Sequence, residues 1–188
     1  MVAGPSGDAV ARHLSQDHGV RKLVVLGARA TGEPADPGVE TLVLDCDLAD
    51  RTALASALAG LPEDWPVVGV VYDADDTDSP NRVMATASNL AELVPDAHRF
   101  VLLSATAGVP GVAGQRDQAM TGAFLDALAA QRRAAGRIGT YVARGSLPLS
   151  QRLAVADAAG AAGLVAAALD LRPSRSRSVP PVLRALVR

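Results

Sequence analysis

Four groups of residues in this chain could do chemistry by type and spacing. The densest is Asp73-Ala74-Asp75-Asp76-Thr77-Asp78, with four carboxylates in six positions. Such a run could grip a hard cation, but a calcium loop needs a turn glycine at its sixth position and a bidentate Glu at its twelfth. Asp78 and Met84 stand there instead, so the run reads as a solvated loop entering a helix N-terminus, where negative charge is favourable. His13 and His18 are five apart, a spacing that does not put both on one helix face, and Cys46 is the single cysteine. No metal site is expected. A glycine turn, Gly4-Pro5-Ser6-Gly7, precedes a helical pattern and could offer backbone amides to a phosphate, although Pro5 has no amide to give. The last group is "GQRDQAMTGAFLDAL" at 114–128, framed like a reactive helix. Its Gln118 can polarise an oxygen but does not titrate, which leaves only the flanking Asp117 and Asp126 as acid–base groups.

The elements that would position these groups are legible from five β-branched runs, at 22–27, 40–45, 67–72, 99–105 and 138–143. Each is almost continuously apolar, as expected of strands covered on both faces. Helical patterns at 8–18, 51–61, 80–94, 115–135 and 153–171 separate most of them. Asp50 is placed to cap the second helix, and Ser79-Pro80 to start the third. This alternation predicts an α/β fold with a doubly wound parallel sheet. Two departures mark it as degenerate. The connection after 22–27 holds Pro34 and Pro37 and reads as a loop where a helix would stand. Only Met1-Val2-Ala3 precede the glycine turn, too few for an ordinary strand, so the first strand is expected to be absent from the chain. The strands at 22–27 and 67–72 would then pair directly, or another segment or chain would supply the missing one.

Composition narrows the classes. Apolar residues make up 49% but aromatics only 3%, so Val, Leu and Ala must pack the core. A formal net charge of −2 argues against a general nucleic-acid or anionic-membrane partner. No apolar run approaches the roughly 20 residues of a membrane span, and the lone Cys46 suits a reducing compartment. The expected location is cytoplasmic. Residues 1–171 read as one domain, and 172–188, opening on "RPSRSRSVPP", as a linker or tail.

Three stretches together, "GPSGDAVARHLSQDHGVRKLVVLGAR", "LDCDLADRTALASALAG" and "GVAGQRDQAMTGAFLDALAAQRRAAG", resemble the catalytic half of ketoreductase domains of modular type I polyketide synthases. That family is short-chain dehydrogenase/reductase-like with a Rossmann-type fold. The resemblance implies a Tyr that protonates the substrate oxygen, a Ser that bonds the carbonyl, and a Lys and an Asn that complete the relay. In this chain Gln118 stands at the Tyr position, Ala105 at the Ser, Val83 at the Lys and Gly122 at the Asn. Ser104 is no substitute, because adjacent strand residues face opposite sides, and Arg82 would point away from the Lys direction on its helix.

The implied cofactor site departs as well. The dinucleotide glycines fall on Val2, Gly4 and Gly7, and the turn after the third strand run is Ala74-Asp75, with carboxylates that oppose a pyrophosphate. Arg29 stays where the family holds a 2′-phosphate and Asp47 where it contacts adenine; Ser79 and Pro110 replace the two stereochemical markers. The expectation is a reductase-incompetent domain without a cofactor, retaining vestigial Gly4, Gly7, Arg29 and Asp47. Its role would be structural or docking, with neighbouring synthase domains and an acyl carrier protein as partners. Two readings stay open beside it. One is a cofactor-independent epimerase of acyl-carrier-bound 2-methyl-3-ketoacyl groups. The other is a residual NADP(H) or acyl-thioester binding module.

Overall fold

A computed structural model describes residues 1–5, 7–27, 38–74, 77–105 and 116–144, with the backbone alone at Asp8, Ala9, Ala105, Ala143 and Arg144. Most of the connection expected as a loop, the expected helix at 153–171 and the tail at 172–188 lie outside the described residues.

The apolar runs become strands because those inside the sheet are packed against side chains on both faces. In chain order the elements are β1 (Val2–Ala3), α1 (Gly7–His18), β2 (Lys22–Leu26), β3 (Glu40–Leu44), α2 (Arg51–Ala59), β4 (Gly69–Asp73), α3 (Pro80–Leu93), β5 (Arg99–Ala105), α4 (Arg116–Ala134) and β6 (Thr140–Arg144). The six strands form one sheet in the order β3-β2-β1-β4-β5-β6, with every pairing parallel. Alternation sorts the side chains. Val24, Leu26, Val70, Tyr72, Phe100 and Leu102 pack against Leu54 of α2, Leu90 of α3 and Leu125 of α4. Val2, Leu23, Val71, Val101 and Leu103 face Val10 and Leu14 of α1. Burying each such aliphatic or aromatic side chain stabilises by about 1.5–3 kcal/mol, so both faces of the sheet are held. The edge strand β3 is only half-covered.

The first strand is present, which corrects the expectation that the chain lacks it. Val2 pairs with Val25 of β2 and Val71 of β4, and Ala3 with Leu26 and Tyr72. The Met1 carbonyl accepts from the Val71 N–H at 3.0 Å, and the Met1 amino group donates to the Gly69 carbonyl at 2.9 Å. The slot is therefore occupied by this chain's own residues, and its neighbours do not pair directly. Strand length misled here because the mid-sheet position needs backbone partners only where the neighbouring strand ends overlap. Gly4 makes so short a strand workable. At φ +108° it turns the chain hard against β4, where any Cβ would lie 1.9 Å from the Asp73 carbonyl oxygen.

The expected caps hold. The Asp50 carboxylate accepts from Thr52 N–H at 2.8 Å and Ala53 N–H at 3.1 Å, and Ser79 caps α3 with Pro80 in its first turn. The sheet-facing stripe of α4 runs through Thr121, Gly122, Leu125, Ala129 and Arg132, with Phe124 and Leu128 half-buried at its flank. Arg132 is the unexpected member. Its guanidinium lies 4.1 Å above the Phe100 ring and donates to the carbonyls of Ala91, Pro95 and Ile138. One buried cation thus ties the end of α3 to α4 and the approach to β6, with donors matched to acceptors.

Candidate functional site

Strand order reverses at β1, and open α/β sheets bind ligands in the crevice beyond the strand ends at such a point. A cleft of about 390 Å³ lies there, lined by Gly4 and Gly7 of the first turn, Gly27 after β2, Asp45 to Leu48 after β3, and Tyr72, Asp73, Thr77, Asp78, Arg82 and Thr86 from β4 to α3. Gly7 begins α1 and donates its N–H to the Gly4 carbonyl at 3.1 Å, so the turn is closed on itself.

The loop after β3 is held from two sides. Asp47 accepts from Ala49 N–H at 3.0 Å, and buried Asn89 of α3 donates its amide to the Leu48 and Ala49 carbonyls, both at 3.0 Å. Asp47 is thereby fixed facing Arg82, whose guanidinium reaches its two carboxylate oxygens at 2.9 and 3.2 Å and Asp78 at 3.5 Å. The hydrogen bond from Arg82, helped by the Ala49 amide, holds the Asp47 carboxyl below the usual carboxylate range. Burial, with Asp45 and Asp47 on either side, pushes the Cys46 thiol up. Burial also pushes the Tyr72 hydroxyl far up, against a smaller opposing pull from its hydrogen bond with Thr86. The lining carries four described carboxylates, Asp45, Asp47, Asp73 and Asp78, and one described guanidinium.

The second region lies beneath α4. Ser104 points to the α4 side of the sheet, where its hydroxyl is 3.0 Å from the Tyr141 hydroxyl of β6. The Tyr141 oxygen sits against Gly122, where an added Cβ would approach it to 2.9 Å. Burial raises the Tyr141 pKa, Asp126 adds to the rise, and the Ser104 hydrogen bond works against it.

The expected site residues therefore divide. Gly4, Gly7 and Asp47 share the cleft, while Gly122 belongs to the layer under α4. Val83 is 2% exposed in the core between α3 and the sheet, and Gln118 is half-buried on α4. Ala105 ends β5 opposite Arg144, its side chain undescribed. Arg29, Asp75, Asp76, Pro110, Gly114 and Gln115 lie outside the described residues. The rings of His13 and His18, expected apart, meet edge to face at 5.1 Å at the end of α1. Among the described residues no group of three or more His, Cys, Asp or Glu is placed to hold a metal ion, and no helix is long and apolar enough to cross a membrane.

Sequence reasoning weighed Arg82 only against the Lys position and missed its pairing with Asp47, along with Asn89 and the Ser104–Tyr141 pair. The Asp78–Arg82 spacing of four was a readable signal for one contact. The reach from Arg82 to Asp47 and the fit of Tyr141 over Gly122 join residues far apart in the chain and had none.

Comparison with known proteins agrees with this architecture. The KR domain family matches residues 3–147. The chain is 39% identical over 158 residues to mycoketide-CoA synthase of Mycobacterium tuberculosis, covering 71% of this chain and 4% of that protein. It is 35% identical over 246 aligned positions to polyketide synthase GfsA of Streptomyces halstedii, covering 100% and 3%. Among solved structures, a C2-type ketoreductase from a modular polyketide synthase is 32% identical with a TM-score of 0.64, covering 92% of this chain and 41% of that one. The chain thus spans a small fraction of those synthases and under half of that ketoreductase.

Proposed function

The chain belongs to the KR domain family and is a ketoreductase-like domain of a polyketide synthase, and on that premise we propose that it is reductase-incompetent and serves as a structural or docking element. The observation that carries this reading is the packing at Gly122. A proton relay needs an acid tuned by a nearby cation, and donors aimed at the developing oxyanion. Here the Asn position is a glycine whose space is taken by the Tyr141 hydroxyl. The Lys position, Val83, is core, and the Tyr position, Gln118, does not titrate. Tyr141 is no replacement acid, because burial raises its pKa and Ser104 already engages its hydroxyl.

The cofactor reading follows the charge of the cleft. A pyrophosphate would meet Asp73 and Asp78 at the end of β4, with Arg82 already committed to carboxylates and Pro5 lacking an amide. What such a domain supplies to a synthase is its folded surface, offered to neighbouring domains and to an acyl carrier protein.

The test is a fluorescence titration with NADPH followed by a reduction assay on a 3-ketoacyl thioester. No saturable enhancement at micromolar cofactor and no turnover are expected; either one would overturn the proposal. The variant Ala105→Ser/Gln118→Tyr/Gly122→Asn/Val83→Lys is expected to stay inactive, since the restored groups would face a cleft hostile to the cofactor. Deuterium retained at the α-carbon of a 2-methyl-3-ketoacyl thioester would count against epimerisation, for which Ala105 and Gln118 supply no base.

A further inference from the structure

We propose that the end of the sheet opposite the cleft is a docking surface for an acidic protein partner, seated on Arg99, Arg133 and Arg137 around the exposed Val68. The inference deepens, and rests on, the reading that the domain serves a synthase as a docking element. Three neighbouring strands begin at this end. Val68 leads into β4, Arg99 opens β5 in register with Gly69, and residues 137–139 lead into β6, which pairs with β5. The Val68 carbonyl accepts from the His98 N–H at 2.8 Å and the Arg99 N–H at 3.3 Å, which holds the valine beside Arg99. Val68 is nonetheless 60% exposed, the most of the described large apolar residues.

The three arginines are exposed, and none has a carboxylate within ion-pair reach among the described residues. Lys22, Arg51 and Arg82, by contrast, each pair with one. Arg99 donates to the His98 carbonyl at 3.1 Å and Arg133 to the Gly139 carbonyl at 2.7 Å. Each bond uses one of the five N–H donors of a guanidinium and leaves the rest to solvent or a partner. Burial lowers the Arg132 pKa, Arg137 adds to that and Asp96 opposes it, so both charges stand near this buried anchor. Asp96 is exposed and still bridges to none of the three arginines.

The backbone under these cations is fixed. Arg132 ties the carbonyls of Ala91, Pro95 and Ile138 together, and a Cβ at Gly139 would meet the Ala129 carbonyl oxygen at 2.8 Å. A fixed mount lowers the ordering cost of binding. Charge then selects the partner. Nucleic acids and anionic membranes are engaged by broad basic faces, whereas this chain carries −2 overall and gathers four described carboxylates at its cleft end. A carboxylate fits the planar guanidinium fork. A packed protein surface would also desolvate Val68, which a phosphate backbone would leave wet. An acidic protein surface with an apolar centre meets both conditions.

Fluorescence anisotropy of a fluorescein-labelled helical peptide, with Glu flanking a Leu stripe, tests this on the full chain. The comparison variants are Arg99→Glu/Arg133→Glu/Arg137→Glu and Val68→Ser. The parent is expected to bind saturably, more weakly as salt rises, and to ignore the same peptide with Lys in place of Glu. Charge reversal should weaken binding at least about tenfold, and Val68→Ser about threefold. No binding by the parent, or unchanged binding by either folded variant, would overturn the surface. So would equal binding of polyuridylate or of phosphatidylglycerol vesicles through the same arginines, which would make phosphate the ligand. A parent dimer in sedimentation that charge reversal dissolves would overturn it in favour of a second copy. NADPH binding would overturn the reductase-incompetent reading and leave this surface standing, whereas a failed peptide titration would leave that reading standing. Should the reversal fail to fold, Arg99→Gln/Arg133→Gln/Arg137→Gln carries the same test with a smaller loss.

Discussion

The cleft beyond β1 and the layer under α4 are built in opposite ways. The cleft has volume and a glycine turn, and among its described lining four carboxylates stand against one guanidinium, which is engaged by Asp47 and Asp78. In the layer under α4 a Cβ at Gly122 would meet the Tyr141 hydroxyl at 2.9 Å, so that half-buried ring would have to shift and give up its bond to Ser104. Charge in half-exposed surroundings is readily changed, and one substitution should move it. Packing is stiffer, since close contacts resist a larger side chain. The glycines make the contrast sharp. Gly4 persists because β1 must touch the Asp73 backbone, which it would need with or without a phosphate, whereas Gly122 makes room for a neighbour.

The largest expected effect tests how β1 is anchored at the end of the sheet away from the cleft. The Met1 amino group is buried against the Gly69 carbonyl, and burial lowers its pKa from 8.0 to about 5. In a chain with a free amine at Met1, the unfolded state binds a proton between those pH values that the folded state refuses. Stability therefore rises with pH across the window, and the penalty is complete below the folded pKa and absent above the unfolded one. At ~1.4 kcal/mol per pH unit the drop to about 5 corresponds to at most ~4 kcal/mol, less if water reaches the amine. Urea midpoints at pH 5, 6.5 and 8 should show this slope in the parent, and N-terminal acetylation should flatten it. Matching profiles for the two would mean that β1 holds its amine in water and its start is loose.

Next comes the layer under α4. Gly122→Asn is expected to destabilise by about 1–3 kcal/mol, as overpacking a filled site does. Tyr141→Phe should cost about 1 kcal/mol by leaving the buried Ser104 hydroxyl without its partner. Gly122→Asn combined with Tyr141→Ala should be less unstable than the sum of its single changes, because removing the ring vacates the space the Asn needs. Additive urea midpoints would show that the two residues are not one packing unit.

Strands covered on both faces leave apolar runs, and caps leave Asp50 and Ser79 at fixed offsets, so β2 to β6 and the starts of α2 and α3 were legible from local pattern. Features made by distant residues were not. The two-residue β1 lies below any length rule, and it is recognisable only once Gly4 is seen against Asp73. Arg132 in the last turn of α4 reads as a surface cation that favours a helix C-terminus, yet its carbonyl acceptors lie on α3, just beyond it and ahead of β6. The candidate site was half legible in the same sense. Gly4, Gly7 and Asp47 were found by position, but the partner that decides what Asp47 can do, Arg82, is 35 residues away and carries no periodic signal.

The smallest effect is the most discriminating. Asp47→Asn removes the Arg82 pairing at a site about half exposed on both partners, where such pairs contribute only ~0.5 kcal/mol after screening. The sign of its pH dependence is set by the Asp47 carboxyl, held low first by the Arg82 hydrogen bond. Its contribution is present above the unfolded carboxylate pKa of about 3.9 and lost as pH falls through the lower folded value. The parent and Asp47→Asn should therefore differ slightly at neutral pH, converge in acid, and converge also in high salt. A difference several times larger, or one indifferent to salt, would mean that the bridge is part of the core. The cleft would then be closed by packing, as the layer under α4 is, and the contrast between the two regions would fail.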